Sequence, residues 1–162
     1  MSADVAPRSS KHSGETVEAN VLDRVPELAY VSDRTAEWHD AEVVTLLEPC
    51  EDVVFYALPL LAVGTVVEIK AAQLRLASGQ RGRFYIRKRQ HQKLLDANGV
   101  YLFAVYDPRD DHRVLRMAVW AASLVDELLP DGWTAVHGDR AEEGYRQLAW
   151  SRVIDPEEVD RR

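Results

Sequence analysis

One cysteine, Cys50, stands in 162 residues. That excludes an internal disulfide and any thiolate metal cluster. No apolar run approaches the roughly 20 residues of a membrane-spanning helix. The polar stretch Met1 to Ser13 lacks the hydrophobic core of a secretory signal. It reads as a flexible tail before one domain over 14–162, and the chain reads as cytoplasmic. Lysine is also scarce, at four of the twenty basic residues against 27 acids. That is the balance of halophilic-type acidic proteins, whose surface charge reports solvation rather than choice of partner.

Acid is missing in one place. Between Ile69 and Leu95 there is none, but there are eight bases: Lys70, Arg75, Arg81, Arg83, Arg87, Lys88, Arg89 and Lys93. With a net charge of −7 overall, this leaves −15 on the rest of the chain. A basic stripe on an acidic body is the footprint of a polyanion-binding surface. Arg81, Arg83, Arg87, Lys88, Arg89 and Lys93 are therefore the candidate nucleic-acid contacts.

Hydrophobic periodicity divides the remainder. Val17, Val21 and Val25 recur every four residues, so Gly14 to Val25 reads as an amphipathic helix ended by Pro26. Tyr30-Val31, Val43 to Leu47, Asp52 to Tyr56 and Val66 to Lys70 read as strands. The last two read as a hairpin centred near Leu61, which puts Asp52 opposite Glu68 to Lys70. Phe84 to Ile86 is a short strand, and Arg87 to Ala97 a helix with Leu94 and Leu95 inward, stopped by Asn98-Gly99. Val100 to Tyr106 is almost wholly apolar, as in a strand buried on both faces. Val114 to Trp120 is a strand, Ser123 to Leu129 a helix, and Ala141 to Ala149 a further helix. Interleaved strands and helices make the class α/β with a mixed central sheet.

Glu68 and Lys70 lie two apart on one of these strands, so both point to the same side, roughly 7 Å apart. Burying an acid and a lysine together is costly unless they share a task. Phosphodiester hydrolysis is such a task. It needs a hard cation held by carboxylates, an activated water and positive charge near the developing phosphorane. Asp52 and Glu68 supply carboxylates, the Ile69 carbonyl a third oxygen, and Lys70 a group to orient the water. Glu51 stands beside Asp52 as the alternative first ligand.

In this setting Asp52-Val53-Val54, Val67-Glu68-Ile69-Lys70 and Phe84 to Gln90 resemble the motifs of the PD-(D/E)xK nuclease superfamily. The overall pattern is similar to that of the archaeal Holliday-junction resolvases. The matching residues run from Gly14 to Tyr106, with 107–162 as a C-terminal extension. The resemblance implies a restriction-endonuclease-like fold, a mixed β-sheet core flanked by helices. It also implies Mg²⁺- or Mn²⁺-dependent endonuclease activity on DNA, branched DNA included, with a place in recombination or repair. Gly14 to Glu18 resembles the family's first-helix motif, making Glu18 a supporting metal ligand, and Gln90 falls near the active site beside catalytic Lys70. His91, about 100° round the helix from Gln90, is expected at the surface. A homodimer accords with cutting two strands. The alternative is a non-catalytic nuclease fold that binds nucleic acid or a protein.

Overall fold

A computed structural model of the chain describes residues 10–32, 39–134 and 144–160. The first helix, α1 (Ser10–Arg24), forms where the valine periodicity predicts. Val17, Val21 and Val25 are all buried, each contributing about 1.5–3 kcal/mol relative to exposure. Of the expected tail, residues 1–9 lie outside the described residues and Ser10 to Ser13 open α1.

Six strands make the main sheet: β1 (Leu28–Tyr30), β2 (Ala41–Val43), β3 (Val53–Tyr56), β4 (Val66–Gln73), β6 (Val100–Asp107) and β7 (Arg113–Ala121). Their spatial order is β1-β2-β4-β6-β7-β3. The pairs β4–β6 and β3–β7 are parallel and the others antiparallel. A parallel neighbour needs a crossover. Between β4 and β6 it is made by β5 (Arg83–Arg87) and α2 (Lys88–Asp96). The first seven residues of β6 are buried, as its unbroken apolar run requires.

Side-chain alternation sorts the strands into two cores. Val67, Ile69, Leu102 and Ala104 face α1, while Tyr101, Phe103, Val105 and Ala72 join Phe84, Ile86 and Leu94 on the opposite side. α3 (Ala122–Leu128) also covers this second side through Val125. Asn98 takes the left-handed conformation at φ 52° and ends α2 as expected.

Three expectations change. The hairpin between β3 and β4 does not form, because β3 leaves for the far edge and pairs in parallel with β7, Val53 against Met117. The segment before β4 instead closes on the chain after β2, through a Leu47–Leu61 bridge. The strand expected at Val43 to Leu47 lies earlier, over Ala41–Val43, and shares only Val43 with that expectation. In place of a helix over Ala141 to Ala149, Tyr145–Ala149 is a strand, β8, paired antiparallel with β5 as a separate two-stranded sheet; residues 141–143 lie outside the described residues. Leu148 of β8 closes on Phe84 and Ile86 in the second core. Residues beyond Asp107 are thus part of both sheets.

Candidate active site

The register of β2 on β4 sets the geometry. Ala41 pairs with Val67 in antiparallel fashion, so one step further along places Asp40 opposite Glu68. Two bonds fix Asp40 there. Its amide donates to the Val67 carbonyl at 3.0 Å, and its Oδ2 accepts from the Ile69 amide at 2.8 Å. Directly opposed residues share a face of a sheet. Two carboxylates therefore stand side by side at the end of β2.

Glu68 is buried, only 3% exposed. Burial pushes its carboxyl well above the usual range; Lys70 opposes the shift, while Asp40 and Glu18 add to it by proximity. Ionised, the group has an oxygen, Oε2, with no hydrogen-bond partner among the described residues. Protonated, it can donate to Asp40. A buried carboxylate with an unsatisfied oxygen is held at a cost unless a cation or proton comes to it.

Lys70 projects from the same side two residues on. Its Nζ donates to Gln90 Oε1 at 3.1 Å, and Gln90 is the third residue of α2. The crossover that follows β4 thus returns a side chain to the lysine it left. The next residue is fully buried, contrary to the surface position expected for His91. It shares an inward stripe with Leu94, three residues on. Asp126 has a carboxylate that can only accept, so His91 Nε2–H donates to Asp126 Oδ1 at 2.8 Å. His91 Nδ1 then accepts from the Tyr101 hydroxyl, also at 2.8 Å. Tyr101 pairs in register with Glu68, and burial raises its hydroxyl pKa far above the ordinary tyrosine value. It is a fixed donor.

Among the sequence candidates, the structure gathers Glu68, Lys70 and Gln90, with Glu18 close enough for its charge to act on Glu68. Asp52 is not brought to them. It sits before β3, three strand positions from β4, roughly 14 Å across the sheet at ~4.8 Å per strand. There it pairs with Arg24 of α1 at 3.1 Å. Glu51 is on the same far edge, its carbonyl accepting from Arg116 at 2.8 Å. Asp40 was the acid that sequence reasoning passed over. Its signal is slight: an acid directly before Ala41-Glu42-Val43, a strand of three residues. Arg81, Arg83, Arg87, Arg89 and Lys93 are exposed and Lys88 half-exposed.

A family model of the PD-(D/E)XK nuclease superfamily domain matches residues 4–155. The chain belongs to the PD-(D/E)XK nuclease superfamily. The six-stranded mixed sheet flanked by helices is the restriction-endonuclease-like fold of that superfamily. A nuclease-type function and nucleic-acid binding follow from membership. No curated protein matches the chain. No helix among the described residues is long and apolar enough to cross a membrane.

Nucleases of this superfamily generally use divalent metals. Among the described residues no three His, Cys, Asp or Glu side chains converge as a complete cage. Two adjacent carboxylates and an orphaned oxygen nevertheless fit a magnesium-like ion, which takes one or two carboxylates and keeps water and substrate oxygens for the rest.

Proposed function

We propose that this protein is a Mg²⁺- or Mn²⁺-dependent endonuclease that hydrolyses DNA phosphodiesters, with branched, junction-like DNA as its preferred substrate. The supporting observation is the opposition of Asp40 and Glu68 beside a lysine held by Gln90. Asp40 and Glu68 hold the cation, in place of the Asp52 and Glu68 pair expected from sequence, with Glu18 in support. A cation held there would supply Lewis-acid stabilisation of charge on the scissile phosphate and make water more acidic.

The chain's own groups do the rest. Lys70 Nζ orients the attacking water and places positive charge beside the phosphate oxygens. Gln90 holds that ammonium in line through its carbonyl oxygen. The buried wall of Tyr101 and Phe103 excludes bulk water on one side, which strengthens each charge interaction. Exposed arginines and lysines of β5 and α2 hold the phosphate backbone. Cutting two strands calls for two active sites, which a homodimer supplies.

The test is cleavage of a labelled four-way junction, flap, duplex and single strand with Mg²⁺ or Mn²⁺, at low and molar salt. Wild-type cutting lost in Lys70→Ala supports the proposal. Binding without cutting in both proteins favours the non-catalytic alternative. Retained cutting in Lys70→Ala sinks the mechanism.

A further inference from the structure

The strand β8, paired with β5, builds an outer face whose tyrosines the catalytic reading does not use. Along β5, Arg83, Tyr85 and Arg87 are exposed while Phe84 and Ile86 are buried. The register sets Gln147 beside Tyr85 and Tyr145 beside Arg87. The two tyrosine rings meet at 5.6 Å between centroids, tilted by 45°, and Arg83 donates to Gln147 at 3.2 Å. Neither strand carries an acid.

The ribbon is already anchored by its inner face, through Phe84, Ile86 and Leu148 in the second core. Tyr85, 54% exposed, is not needed for that anchoring. At the far end an open cleft of about 420 Å³ continues the surface, lined by Arg83, Gln147 and Arg152 over Leu128 and Pro130. At the near end β5 runs directly into α2 and Gln90. Two strand steps and one helical turn put the Tyr85 and Gln90 Cα atoms at most roughly 12 Å apart. That is a span of a few nucleotides.

From this geometry we infer that the β5–β8 ribbon is a stacking platform for single-stranded DNA: Tyr85 and Tyr145 take unpaired bases while Arg83 and Arg87 hold the phosphates between them. Alternating cations and π-faces is the chemistry of single-strand binding, because every base offers a ring face and every linkage a charge. An intact duplex buries its ring faces in its own stack and can use only the arginines. The inference rests on the proposed nuclease function and narrows it to substrates with an unpaired stretch beside the cut, such as flaps and splayed junction arms.

The experiment measures binding without cleavage. Fluorescence anisotropy in EDTA would follow a labelled oligothymidylate of about fifteen nucleotides and a blunt duplex, in a Lys70→Ala background. Tyr85→Thr/Tyr145→Thr keeps strand-forming residues in the ribbon, and circular-dichroism melting checks that it folds. The expected result is a loss of at least about 5-fold in single-strand affinity, with the salt slope and duplex binding unchanged and Tyr85→Phe/Tyr145→Phe retaining wild-type affinity. Arg83→Ala/Arg87→Ala should instead flatten the salt slope, by about 0.7 per arginine. Unchanged single-strand affinity in the folded threonine variant, or an equal loss on duplex, overturns the platform. Neither result bears on cleavage, so the nuclease proposal stands or falls separately on Lys70.

Discussion

Lys70 Nζ donates to Gln90 Oε1 across 3.1 Å, tying the strand that carries the acid to the helix that follows it. Neither residue sits in the deepest part of the core; both are half-buried at its rim. If Gln90 serves to position the ammonium, Gln90→Ala should lower kcat by about 10- to 100-fold with KM little changed. Lys70→Ala should cost about 10²–10³-fold, the range for removing one group that stabilises charge developing in the transition state. A KM rise with intact kcat in Gln90→Ala would mark it as a substrate contact instead.

Asp40 and Asp52 separate two versions of the site. Asp40→Asn should abolish cleavage while leaving the backbone bond to Ile69 in place, since the amide oxygen can still accept it. Asp52→Asn should cleave normally. It loses only a half-exposed pair with Arg24, 32% and 47% exposed on the two side chains, worth up to about 1 kcal/mol. Activity assays on both variants decide the matter, and loss of activity in Asp52→Asn with a normal melting curve would return the first-ligand role to that residue.

The contrast between those two acids shows what the sequence could carry. The valine stripe of α1, the apolar run of β6 and the Glu68–Lys70 spacing are local periodic signals, and each was legible. Strand partnership is not local. Asp52 opens a strongly apolar strand and made the stronger candidate, but β3's place was decided by parallel pairing with β7, more than sixty residues away. Asp40 opens a strand of three residues whose identity depends on β4. Tyr145 to Ala149 reads as the end of a helix because nothing in it shows that it will find β5. The burial of His91 is hidden from the sequence for a related reason. One turn of a helix does not say which side will meet Tyr101 and Asp126.

His91 should prove structural rather than catalytic. Replacing it by alanine strands the Tyr101 hydroxyl and opens a cavity, a loss on the order of 2–3 kcal/mol. For a chain of this size that corresponds to roughly 4–12 °C in Tm. Burial lowers the His91 pKa below its ordinary value, with Arg146 adding to the effect and Asp126 opposing it. The unfolded chain therefore binds the proton more readily. The stability this group contributes is present above about pH 6.5 and is lost as pH falls through the folded-state value. Thermal melts from pH 7.5 to 5 should show that acid-side decline in the wild type and less of it in His91→Gln.

Glu68 carries the opposite sign. Burial raises its pKa well above the ordinary value, so the native state holds the proton more tightly than the unfolded chain. Its contribution is fully present below about pH 4.5 and is lost as pH rises through the folded value. At neutral pH without a cation the group is thus a liability within the fold. Glu68→Gln, which keeps the shape and removes the charge, should melt higher than wild type in EDTA at pH 7.5, although it cannot cleave. Mg²⁺ should reverse the ranking. At about a hundred times its dissociation constant, a ligand of the native state alone adds ~2.7 kcal/mol, or roughly 5–10 °C here. The wild type should gain that shift and Glu68→Gln little of it. An equal Mg²⁺ shift in both proteins would put the cation somewhere other than beside Glu68, and the pairing of Asp40 with Glu68 would lose its proposed purpose.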